Sequence, residues 1–146
     1  MEKVCFDGGV NVICFLKNGI KYGMTCAWGM QVDYDKVLML LGSQSVTGKV
    51  LEVGDEVGLC ALNNNQVDVS NKLGAKHSDQ IDKFKGLNYR IDGNCILFDD
   101  SSRVMKAKVI DIIHLKEVEE DNLIYLRILE NKKNDDNFLT YSSFLK

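Results

Sequence analysis

The sequence predicts a mainly β fold, an antiparallel and Greek-key-like barrel with two or three short helices inserted mid-chain. Three observations predict it. Short β-branched and apolar runs recur along the chain, Asn18-Gly19 separates the first two, and long apolar strands return after Val104 without a helical pattern between them. The strand–helix–strand passages between Val37 and Leu62 also admit a parallel α/β sheet. The helices there are short, however, and the late strand pair favours the barrel.

Val10 to Leu16 forms the first strand, and Lys17-Asn18-Gly19 turns it into Ile20 to Trp28. Asn-Gly is a strong hairpin signal because both residues tolerate positive φ. In the second strand Ile20, Tyr22, Met24, Cys26 and Trp28 share one bulky face, and Lys21, Gly23, Thr25 and Ala27 share a small, polar one. Such a strand packs a core on one side and admits a ligand on the other. Val37 to Leu41 is the next strand, and a short helix entered through Ser43 to Thr47 should stop at Gly54. Glu56 to Leu62 is again a strand. Asn63 with Gln66 resembles a capping box opening a helix that closes near Gly74, and a third helix is expected from Ser78. Cys95 to Phe98, Val104 to Leu115 and Leu123 to Leu129 complete the strands, and the charged run from Glu130 to Asn137 reads as a solvated loop.

With 146 residues the chain is expected to form a single domain over 1–146. A formal charge of −3 gives no phosphate-tracking surface, so nucleic acid is not an expected partner. No apolar run approaches the ~20 residues of a membrane helix, and no secretory leader is legible, so a cytoplasmic protein away from membranes is expected. The five cysteines are scattered and odd in number, which argues against a disulfide framework; with only His77 and His114 beside them, no metal spacing exists either. Neither histidine has a motif partner, and no catalytic side chain is assigned. The chain has no proline, so Gly, Asn and Asp must make its turns.

Gly42-Ser-Gln-Ser-Val-Thr-Gly48-Lys49 follows an apolar strand as a phosphate loop would, but five residues separate its glycines and Val50 replaces the magnesium-binding Ser or Thr. A triphosphatase loop is excluded. A monophosphate can still bind there, on free amides at the helix start, the hydroxyls of Ser43, Ser45 and Thr47, and Lys49. Helix capping by those same hydroxyls is the alternative.

Met24-Thr25-Cys26-Ala27-Trp28, the Ser43–Thr47 cluster, Asp82-Lys83-Phe84 and Leu139-Thr140-Tyr141 together resemble the flavin reductase-like family of FMN-binding split barrels. The resemblance spans most of the chain, through short motifs. It implies that Met24, Thr25, Cys26, Ala27 and Trp28 lie beside the flavin, and that Ser43, Ser45, Thr47 and Lys49 hold its phosphate. Asn63 and Asn64 would run along the isoalloxazine edge, with Lys83 and Phe84 from the later motif. Cys26 either tunes the ring or packs the core, Trp28 either contacts the ring or anchors a core or dimer interface, and Lys83 either pairs with phosphate or ring or is a surface lysine. The resemblance also implies a homodimer and electron transfer through FMN, from NAD(P)H or from a partner protein. Two departures stand out: the phosphate segment has no arginine, and Glu120-Asp121-Asn122 stands where many members carry a histidine. These favour, as an alternative, a carrier reduced by a partner protein; a cofactor-less interaction domain on the same barrel is the third reading.

Overall fold

The computed structural model describes residues 2, 4–42, 46–75, 82–118 and 121–144. Among these the strands are β1 (Asn11–Lys17), β2 (Ile20–Cys26), β3 (Gly29–Asp33), β4 (Lys36–Gly42), β5 (Glu56–Ala61), β6 (Arg90–Asp92), β7 (Cys95–Leu97), β8 (Arg103–Ile113) and β9 (Asp121–Lys133). Three short helices, α1 (Val46–Val50), α2 (Val67–Ala75) and α3 (Tyr141–Phe144), interrupt or follow them.

The pairing order is β3-β4-β9-β8-β5-β1-β7-β6, with β2 on the other flank of β1, and every pairing is antiparallel. The sheet curls until β2 and β4 approach each other. There the Cys26 thiol of β2 lies 3.3 Å from Leu40 O of β4, while β2 has no ladder partner but β1 among the described residues. The result is a mainly β barrel split along the free edge of β2.

Side-chain alternation explains where the core sits. Ile13 and Phe15 of β1 face the barrel interior with Tyr22, Cys26, Met39, Leu41, Val57, Leu59, Ile124 and Leu126. Val12 and Cys14 face outward into a second core with Val69 and Leu73 of α2, Phe84 and the β7 segment. A strand buried on both faces must be apolar along its buried stretch, as β1 is from Val12 to Phe15. The two layers touch most closely where β7 crosses β5. A β-carbon built on Gly58 would lie 2.0 Å from Ile96 O, so only glycine fits there.

The β1–β2 hairpin forms as expected, with φ of 53° at Asn18 and 77° at Gly19. Several boundaries differ. β2 ends at Cys26 because the chain turns through Ala27 and Trp28 into β3, an exposed strand not foreseen since its burial pattern is polar and apolar alike without an inward face. α1 ends at Val50 rather than Gly54, where Lys17 Nζ donates to Val50 O and also bridges Glu52 and Asp55. The charged run is partly strand: β9 continues to Lys133, its register with β8 extending to Arg103. The helix expected from Ser78 lies outside the described residues. No helix among those described is long and apolar enough to cross a membrane.

Candidate functional site

The register of β2 decides which of its backbone groups face away from β1. Leu16 N–H donates to Asn94 O, on the flank of β1 away from β2. By alternation Ile13, Phe15 and Lys17 point at β2, opposite Met24, Tyr22 and Ile20. Lys21, Gly23 and Thr25 therefore aim their N–H and C=O groups at the split. This edge carries ordered polar groups where a closed barrel would have another strand.

Gly23 O lies at its centre. It accepts from Thr47 Oγ1 at 3.2 Å and from Lys83 Nζ at 3.0 Å, and the same ammonium donates to Leu73 O at 2.8 Å, in the last turn of α2. Thr25 Oγ1 donates to Ser70 O at 2.7 Å, tying the next edge residue to α2. Thr25 is two residues from Gly23, ~7 Å along an extended strand, so Thr47 and Thr25 lie within the span of one small cofactor. Lys83 is 7% exposed, and burial pushes its pKa below the ordinary lysine range. No carboxylate forms an ion pair with it among the described residues. Lys21 has taken the nearby one: its ammonium meets Asp82 at 3.0 Å and the Tyr89 hydroxyl at 2.9 Å.

The outward face of β2, expected to admit a ligand, is instead covered. A β-carbon on Gly23 would stand 2.8 Å from Phe84 Cζ and 3.1 Å from Cys14 Sγ. Phe84 is buried and stacks among Tyr89 and Phe98.

The other singled-out residues fall in different places. Cys26 points into the barrel, its thiol donating toward Leu40 O at 3.3 Å, and burial pushes its pKa up to about 11. Met24 packs partly against the same interior. Ala27 and Trp28 form the turn at the seam, and Trp28 is 52% exposed with its ring edge-on to Tyr141 at 5.2 Å. Ser43 and Ser45 lie outside the described residues; Lys49 is exposed at the end of α1. Asn63 is buried, its N–H held by Gln66 Oε1 at 3.0 Å and its amide donating to Asp100 O, so the capping box forms one turn ahead of α2. Asn64 is exposed and donates to Asn137 Oδ1.

Two neighbours of the site were not singled out in the sequence. Gly23 carries the signal an isolated strand glycine gives, a close approach. Asn122, at the start of β9, donates to Gly48 O at 3.4 Å and so touches α1 from the β4 side. Past the Cys26 end of β2 lies a separate concavity of about 510 Å³, lined by Met39, Leu59, Ala61 and Met105 with Gly29 and Arg103.

A family model described as a flavin reductase like domain matches residues 3–143. Solved structures share the fold. The NADH:FAD oxidoreductase SgcE6 of Streptomyces globisporus superposes with a TM-score of 0.79 at 15% identity, over 88% of this chain and 77% of that one. BorF, the flavin reductase component of a bacterial two-component tryptophan halogenase, gives 0.76 at 17% identity over 95% and 88%. The flavin reductase HpaC, solved with NADP+, gives 0.72 at 18% over 94% and 92%. No curated protein matches the sequence.

Proposed function

This chain belongs to the flavin reductase like domain family, and we propose that it binds FMN and passes electrons through it as an NAD(P)H-dependent flavin oxidoreductase. The observation that carries the reading is the edge of β2 turned away from β1, where Gly23 O meets Thr47 of α1 and Thr25 faces the same side. The donor set suits this group: neutral amides for the pyrimidine edge of the ring, and the Ser43 and Ser45 hydroxyls with Lys49 for the phosphate, while Thr47, whose hydroxyl donates to Gly23 O, braces α1 against β2. Met24 and Cys26 support the strand from inside, and Trp28 flanks the turn. Lys83, Phe84, Asn63 and Asn64 serve the site from behind, by holding β2 and α2 in place.

When bound, the flavin supplies the hydride and single-electron chemistry; the protein orients the ring and limits water around it. Neutral amide donors on the pyrimidine edge favour the reduced, more negative ring. NAD(P)H as donor is supported by the neighbours named for NADH or solved with NADP+. We also propose a cytoplasmic homodimer. Four buried free thiols suit a reducing compartment. Met30 and Val32, exposed on β3, and Trp28 just before it suit a second copy.

The test is anaerobic stopped-flow mixing of NADH or NADPH with protein and either FMN or FAD. Rapid bleaching of FMN absorbance at substoichiometric protein is expected. Absence of FMN binding at micromolar concentration would remove the reading. Asn122 at the start of β9, in place of a histidine, favours a second reading: a carrier that binds FMN but is reduced only by a partner protein. Tight FMN binding without bleaching by either nicotinamide would select it.

A further inference from the structure

We propose that the concavity past the Cys26 end of β2 is a second small-molecule site, one that takes an uncharged aromatic ligand carrying a hydroxyl or carboxamide group. The inference does not rest on the FMN reading, since none of the described residues assigned to the flavin lines this concavity.

The cavity follows from how the interior layers change along the strands. Met24, Ile13, Leu59 and Met105 stand opposite one another across β2, β1, β5 and β8 and form one inward layer. Two residues further along each strand, the same row reads Cys26, Asn11, Ala61 and Arg103. A thiol, an amide and a methyl group are too small to close that layer. The arginine head is drawn away from it, to Asp136 at 2.8 Å and 4.8 Å over the Phe138 ring. The bridge between Gly9 and Thr140 completes the rim. What remains at the barrel mouth is a concavity of about 510 Å³, a size that holds small molecules.

The chemistry of the lining selects the ligand. Both charged groups at the rim are already engaged. Arg103 also donates to Ser102 O and Asp135 O, and Asp7 accepts from the Ser142 N–H and hydroxyl at 3.0 and 2.7 Å. A carboxylate or ammonium ligand would lose its water without meeting a free counter-charge. The uncommitted polar groups are carboxamides. Asn11 Nδ2 reaches Gly9 O and Cys26 O only at 3.3 and 3.5 Å, and the Asn131 side chain makes no hydrogen bond among the described residues. Beneath them Met39 and Met105 offer flexible, polarizable thioethers, which favour aromatic rings. Gly29 leaves room for one of them, because a β-carbon there would stand 2.7 Å from Met39 Sδ. A flat ring system on the thioethers, with one neutral polar group at Asn11 or Asn131, satisfies every part of this lining.

Calorimetric titration of the full chain with 2-naphthol, uncharged at about pH 7 as phenols are, tests the proposal. Binding at one site with a dissociation constant of about 0.1 mM is expected. The same rings carrying a carboxylate, as 2-naphthoate, should bind at least roughly tenfold more weakly. Ala61→Phe grows into the cavity from β5 and should weaken naphthol about tenfold or more, with FMN affinity kept within about twofold. Should Ala61→Phe not fold, Asn131→Trp on the exposed rim carries the same expectation. Saturating FMN should leave the naphthol affinity unchanged; displacement by FMN would make the concavity the flavin's own seat and overturn the inference. Equal binding of naphthoate, or unchanged naphthol binding in the filled variant, also overturns it. So does a lack of binding at ~1 mM naphthol, whether the floor collapses or a second copy seals the mouth. If the protein binds no FMN, the FMN reading falls and the naphthol titration still decides this one.

Discussion

The inside of the barrel and the layer packed outside β1 and β2 are built from different chemistry. The interior cluster is built of apolar side chains with one thiol, Cys26, and one phenol, Tyr22. The outer side has buried polar groups: Lys83, Asn63, Gln66 and Ser70 around α2, with Thr47 reaching in from α1. The interior is a stability device, close-packed and inert. The outer layer instead spends buried hydrogen bonds on fixing one strand edge, which is what a binding site requires.

The comparison is most severely tested at the joint. Gly58→Ala forces a methyl group against Ile96 backbone, which no rotamer relieves. We expect a loss of several kcal/mol, about 3 or more, seen in chemical denaturation as a large fall in midpoint or as failure to fold. Inside the barrel, Phe15→Ala should cost ~3–5 kcal/mol, with flavin affinity unchanged in the fraction that remains folded. If Phe15→Ala shifted the flavin absorption band, the division between the two regions would be wrong.

The thiols give a smaller effect with a defined sign. Burial pushes Cys26 and Cys60 up to about 11, above the ordinary thiol value near 9. The folded state therefore holds protons that the unfolded state releases. Their contribution is fully present below pH 9 and is lost as pH rises from 9 toward 11, up to ~1.4 kcal/mol per unit for each thiol. Lys83, depressed by burial, works in the opposite direction as pH approaches the ordinary lysine value. Melting temperature should fall through that interval, and less steeply in Cys26→Ala. In native protein near pH 8 a thiol reagent should label Cys5, which is exposed, and spare Cys14, Cys26, Cys60 and Cys95. Smallest of all, Arg90→Ala breaks a half-exposed pair with Asp99 at 2.8 Å and should cost under ~1 kcal/mol in denaturation.

The fold was largely legible because its signals are local. Asn18-Gly19 dictates a hairpin by conformation alone, and the unbroken apolar run of β1 announces a strand buried on both faces. β3 was not legible: Gly29 to Asp33 is exposed throughout, so no inward periodicity marks it, and β6 is too short to carry a period. At the candidate site, the segments were legible but the directions were not. Alternation correctly separated Cys26 from Thr25, yet it could not say that α2 and Phe84 would cover the polar face. Lys83 reads as a charged residue on a polar stretch, and only the long-range meeting of β2, α1 and α2 buries it. The Gly23 carbonyl is a backbone group, invisible to any reading of side chains.

The account's central claim is that a flavin sits on the free edge of β2. Hydrogen exchange of the full chain with and without saturating FMN tests it most directly. The account predicts added protection at Thr25, Ala27 and the start of α1. Protection confined to the concavity lined by Met30, Gln31 and Asn131, with the β2 edge unchanged, would contradict it.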